Sequence, residues 1–169
     1  TILRDKCNIE HCQVNSLESL FMETEQPDIL KQDIGFPSLC TDINLALSEK
    51  YLGKTAQSLD DWLELIDWVF ATYGDRAIAA KNQSAYSRRL DYEAVPREIA
   101  GPRFAQLAKG DSLSFEEKKS VQDYLFRYCV QKATEYHLPV KLHTGYYAGH
   151  NGMPLTRLRQ NAGDLCPLL

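Results

Sequence analysis

No apolar run in the chain approaches the roughly 20 residues that cross a bilayer as a helix, which excludes a helical membrane span. Excess charge of one sign is also missing. Nineteen Lys and Arg face 23 Asp and Glu, for a net charge of −4, so nothing marks the chain as a nucleic-acid or polyanion binder. There is no Cys-x-x-Cys pair. The five cysteines, Cys7, Cys12, Cys40, Cys129 and Cys166, are odd in number and scattered. That favours free, partly buried thiols in a reducing compartment, the cytoplasm, over a disulfide framework. Gly-x-Gly-x-x-Gly, the phosphate-loop lysine motif and the Gly-x-Ser-x-Gly elbow are all absent. So are internal repeats, low-complexity tracts and any Pro/Ser-rich linker, and residues 1–169 read as one domain. The opening Thr1-Ile2-Leu3-Arg4-Asp5-Lys6 lacks a signal-peptide layout and a start methionine, and it reads as an excised or processed piece.

What is present alternates between strand and helix signals. A short strand is expected somewhere in Ile9 to Val14, where Glu10, His11 and Gln13 interrupt it. Residues 16–36 are mixed and acidic, with Pro27 and Gly35-Phe36-Pro37 as breakers. Ser38 to Ile43 reads as the next strand, with Asp42 and Asn44 near its tip. Ser58 with Asp61 three residues on reads as a helix start, and Gly74 suits the left-handed position after the helix. Arg76 to Lys81 follows as a buried strand. A short helix is expected from Pro102 to Lys109, and a longer one opened by the capping box of Ser114 and Glu117. Its apolar face carries Val121, Tyr124, Leu125, Tyr128, Cys129 and Tyr136. Next come the strand Val140 to His143, the glycine-rich loop Gly145 to Gly152, and a last helix from Pro154 that fades at Gly163. The order argues for parallel βαβ units.

The chemistry concentrates at strand ends. Pro139-Val140-Lys141-Leu142-His143-Thr144-Gly145 is the most informative stretch. Val140, Leu142 and Thr144 point one way, and Lys141 and His143 the other. Parallel strands are normally apolar on both faces, so two basic groups on one face need a reason. A strand-tip imidazole is a metal ligand or a locally satisfied histidine. Lys81 ends an apolar strand, where burial lowers a lysine pKa unless the ammonium snorkels to solvent. Tyr86, Arg88 and Arg89 suit carboxylate or phosphate recognition, or equally structural ion pairs. His11 and His150 are weaker candidates.

Ala77-Ile78-Ala79-Ala80-Lys81, then Ala85-Tyr86-Ser87-Arg88, and Val140-Lys141-Leu142-His143-Thr144-Gly145 leading to Asn151-Gly152-Met153-Pro154-Leu155 resemble the amidohydrolase superfamily, in its amidohydrolase-2 branch. The resemblance covers roughly residues 38–166. It implies an α/β fold: a partial TIM (β/α)8 barrel of about four parallel strands with covering helices, corresponding to strands two to five. It implies a divalent metal, zinc, with His143 as the fifth-strand ligand and Lys81 where some subfamilies carry a carbamylated, metal-bridging lysine. Tyr86, Arg88, Lys141 and Tyr146 are the implied substrate contacts, and metal-assisted hydrolysis of a small polar substrate is the implied activity. The family's first-strand His-x-His pair does not occur here. A complete barrel has about 250 residues. The chain is therefore expected to be inactive alone and to need a partner, either missing barrel segments or another copy, because a half barrel leaves two open edges and an uncovered apolar face. The competing expectations are a free-standing α/β domain that binds a small ligand without catalysis, and a degenerate barrel remnant without a ligand.

Overall fold

The computed structural model describes residues 2–16, 19–144 and 163–168. After a helical turn at Ile2–Lys6 come β1 (Cys12–Val14), β2 (Leu30–Gly35), α1 (Pro37–Cys40), α2 (Ala46–Leu52) and α3 (Leu59–Tyr73). They are followed by β3 (Ala79–Asn82), α4 (Arg97–Ala108), α5 (Phe115–Glu135) and β4 (Val140–Leu142). Tight turns at Gly74–Arg76, Ser84–Tyr86 and Gly163–Leu168 complete the described elements. The sheet runs β1-β2-β3-β4 and every pair is parallel. Helices make the β2-to-β3 and β3-to-β4 crossovers, as parallel pairing requires.

Both capping boxes form as the sequence implies. Ser58 accepts from the Asp61 backbone N–H while the Asp61 carboxylate accepts from the Ser58 backbone, and Ser114 with Glu117 does the same for α5. The buried face of α3 (Trp62, Leu65, Ile66, Val69 and Phe70) packs with Leu125, Phe126 and Cys129 of α5 against Ile34 and Ala80 of the sheet. The Trp62 indole N–H donates to the Leu39 carbonyl at 2.7 Å, so its polar edge is satisfied inside the core. Tyr92 stacks on Phe126 with ring centroids 3.6 Å apart.

The structure corrects several expectations. The second strand is Leu30–Gly35, earlier than expected, and the Ser38-to-Ile43 region begins as the short helix Pro37–Cys40. Pro37 supplies its first turn, where a missing N–H costs nothing. The third strand is shorter than Arg76 to Lys81, because Gly74–Arg76 coils tightly before it. Gly74 is right-handed at φ −54°, not the left-handed residue expected. A Cβ there would lie 2.2 Å from the Tyr136 ring, so close approach is what calls for glycine. Helix α4 starts at Arg97, leaving Pro102 inside it. Pro102 is exposed, and water can serve the carbonyl that its missing N–H leaves open. The expected Gly145-to-Gly152 loop and the helix from Pro154 lie outside the described residues.

Candidate functional site

Register and pleat decide which side chains share a face. Asp33 pairs with Ala79, Gly35 with Lys81, and Lys81 with Lys141. Side chains alternate along each strand, so Asp33, Gly35, Lys81, Lys141 and His143 lie on one face and Ile34, Ala80, Asn82, Val140 and Leu142 on the other. The second set meets the helices: Val140 and Leu142 pack on the core, and Asn82 donates to the Cys40 thiol at 3.3 Å. The first set faces away from the helices. The uncovered face expected to be apolar is thus polar on its described strands.

That face is concave. Lys141 Nζ, on β4, donates to Gln13 Oε1 on β1 and to Asn15 Oδ1 just past it, each at 3.2 Å. Side chains stand roughly perpendicular to a sheet, so a bridge from the fourth strand to the first means that the sheet curls. Lys141 also forms an ion pair with Asp33, whose side chain is 0% exposed. Neither carboxylate oxygen of Asp33 has a hydrogen-bond donor among the described residues. Lys141 is therefore the group that compensates this buried carboxylate.

Lys81 is half-buried beside them. Its pKa is held below the usual lysine value, first by burial and then by the neighbouring Lys141 charge, with Asp33 opposing. His143 lies two residues beyond Lys141, and its backbone N–H donates to the Asn82 carbonyl at 3.0 Å. Its ring stacks on Tyr86, with centroids 5.0 Å apart and 16° between planes. Tyr86 is brought there by the Ser84–Tyr86 turn, whose first N–H donates to Asn82 Oδ1 at 2.8 Å. One asparagine thus joins the β3 tip to the turn that meets His143.

Arg88 goes elsewhere. Its guanidinium pairs with Asp123, donates to Gln122 Oε1 at 3.0 Å and lies 4.2 Å from the Tyr92 ring centroid. It ties the loop after β3 to α5, the structural ion pair weighed beside substrate recognition. Tyr146 and His150 lie outside the described residues. Beside the site, a cavity of about 240 Å³ opens at the C-terminal end of β2, lined by residues that include Ser16, Ser19, Gly35, Ser38, Asp42 and Asn44.

The described residues do not by themselves fit a metal. Among them, no three His, Cys, Asp or Glu side chains stand close enough to hold one. Asp33 is committed to Lys141, and a lysine ammonium repels a cation. His143 is a suitable single donor, and Lys81 becomes one only if its amine is converted to a carbamate.

Asp33, Gln13 and Asn15 were not legible as site residues. The available signal was the stretch Leu30-Lys31-Gln32-Asp33-Ile34-Gly35 ahead of Phe36-Pro37. Its polar content disguises it as a loop, because the partner of Asp33 lies on another strand. No protein-family model matches the chain, and no curated protein matches it.

Proposed function

We propose that the chain forms four consecutive strands of an amidohydrolase-type (β/α)8 barrel, and that the enzyme containing it carries out metal-assisted hydrolysis of a small polar substrate. The supporting observation is that Lys81, Lys141 and His143, from two adjacent parallel strands, share a concave polar face near the C-terminal strand ends. Ligands of barrels and open α/β sheets bind at that end. In this reading His143 gives one metal ligand, and the remaining donors come from barrel segments beyond the described residues or from a second copy. A zinc ion held there would lower the pKa of a bound water toward about 7 and would polarise the substrate. Tyr86 braces the His143 ring, Arg88 anchors the loop that carries Tyr86, and Lys141 and Tyr146 are the substrate contacts that the resemblance implies. The setting is the reducing cytoplasm, in keeping with five free thiols.

Metal analysis of the protein after dialysis tests the reading. Stoichiometric zinc, lost in His143→Ala with the fold intact, is the expected result. A metal-free wild type overturns it. The second reading, a free-standing α/β domain that binds a small ligand at the same concave face without catalysis, predicts that metal-free outcome.

A further inference from the structure

We propose that the concave face is a receptor for a small carboxylate, bound by the Lys81 ammonium beside Lys141, and that Lys81 serves there as a cation and not as a metal ligand. The inference goes beyond the metal reading and holds whether or not His143 binds zinc.

Lys81 and Lys141 are register partners on β3 and β4, so their stems rise side by side from strands about 4.8 Å apart. The Lys141 ammonium donates to Gln13 and Asn15 and forms an ion pair with Asp33. Lys81 has no hydrogen-bond acceptor among the described residues, and Asp33 already belongs to its neighbour. Among the described residues two cations therefore share one anion, and one positive charge is left uncompensated there in a half-buried place. A bound anion relieves both the lost hydration of Lys81 and its repulsion with Lys141. A divalent cation adds to that repulsion.

The excess of one charge matches a carboxylate better than a phosphate. A carboxylate carries the single negative charge needed, whereas a phosphate dianion overcompensates it, and the Arg88 guanidinium that could share the extra charge is held by Asp123 and Gln122 on α5. The site also lies one layer below the stacked Tyr86 and His143 rings, so a ligand held by its carboxylate at Lys81 extends along them toward the strand ends.

Protection from acylation tests this. The protein is treated with an N-hydroxysuccinimide ester in increasing acetate, and modification of Lys81 and of exposed Lys50 is read by peptide mass spectrometry. Acetate should slow modification of Lys81 and leave Lys50 unchanged. In parallel, acetate-induced amide shifts at Val140–Leu142 should require about tenfold more acetate in Lys81→Gln, with near-normal response in Lys81→Arg. Lys81→Gln removes no described contact, and a melting curve confirms its fold. No protection by acetate, equal protection by inorganic phosphate, a normal response in Lys81→Gln, or a carbamate resonance on Lys81 under labelled CO2 would each overturn the proposal. Protection that survives His143→Ala supports it, and that variant's zinc content separately decides the metal reading.

Discussion

Lys141 on β4 reaches across β3 to neutralise Asp33 on β2, and this ion pair ties the curled face together. Removing the lysine leaves a carboxylate with 0% exposure, no hydrogen-bond donor among the described residues and only the neighbouring Lys81 charge to compensate it. Lys141→Met should lower stability by about 2–3 kcal/mol, somewhat below the loss for a fully enclosed pair because its own side chain is 28% exposed. The double variant Asp33→Leu with Lys141→Met should recover most of that loss. Urea unfolding of the two variants checks this, and equal losses in both would contradict the pairing.

Gly35 marks where the chain after β1 crosses the end of β2. Its N–H donates to the Leu20 carbonyl at 2.9 Å, and a Cβ on it would lie 2.5 Å from the Ser16 carbonyl oxygen. Backbone cannot rotate aside as a side-chain tip can. Gly35→Ala should therefore cost about 1–3 kcal/mol and push the Ser16–Leu20 segment off the site mouth. Faster limited proteolysis in that segment, with α3 and α5 still protected from hydrogen exchange, is the expected signature.

Asp61 carries a pH dependence. Hydrogen bonds from Ser58, then Lys54 and the Gln57 backbone, hold its carboxyl down at about 2. A carboxylate with a depressed folded-state pKa stabilises the fold above its ordinary value. That contribution is lost as the pH falls toward about 2, because the unfolded chain takes up the proton first. Asp61→Ala should be less stable than wild type by about 1 kcal/mol at neutral pH. The gap should close in acid, as followed by melting temperature. A gap that widens in acid would contradict the cap.

The thiols should label in two classes. Cys7 and Cys166 are exposed, whereas Cys40 and Cys129 are buried. Burial pushes the Cys40 thiol up to about 12 and Cys129 well above its usual range, so neither offers thiolate at neutral pH. Iodoacetamide should modify Cys7 and Cys166 in the native protein. Cys40 and Cys129 should react only on a timescale set by unfolding, as tryptic mass spectrometry can show.

Local chemistry was readable from the chain. Each capping box is a contact between residues three apart, so Ser58 with Asp61 and Ser114 with Glu117 announced α3 and α5 without knowledge of anything distant. The alternation in Val140-Lys141-Leu142-His143 likewise placed its apolar and basic groups on opposite faces, as the packing of Val140 and Leu142 and the pairing of Lys141 bear out. Failures came where solvent exposure or a neighbour remote in sequence, neither visible in the local pattern, decided the outcome. Pro102 looked like a helix start, yet the helix runs through it on an exposed side. Gly74 looked like a left-handed stop, yet the ring of Tyr136 is what requires it.

The alternating α/β order, the two long helices and the basic face of the last described strand were determined by the sequence itself, because short-range hydrogen bonds and side-chain periodicity fix them. Only the tertiary structure decided that β2 carries Asp33 into the concave face, that Lys141 meets it, and that Arg88 turns to α5. Asp33 and Lys141 are 108 positions apart, and Arg88 and Asp123 are 35 apart. A charged group at such a place is tolerable only once the fold has delivered its partner, and no local pattern records where that partner comes from.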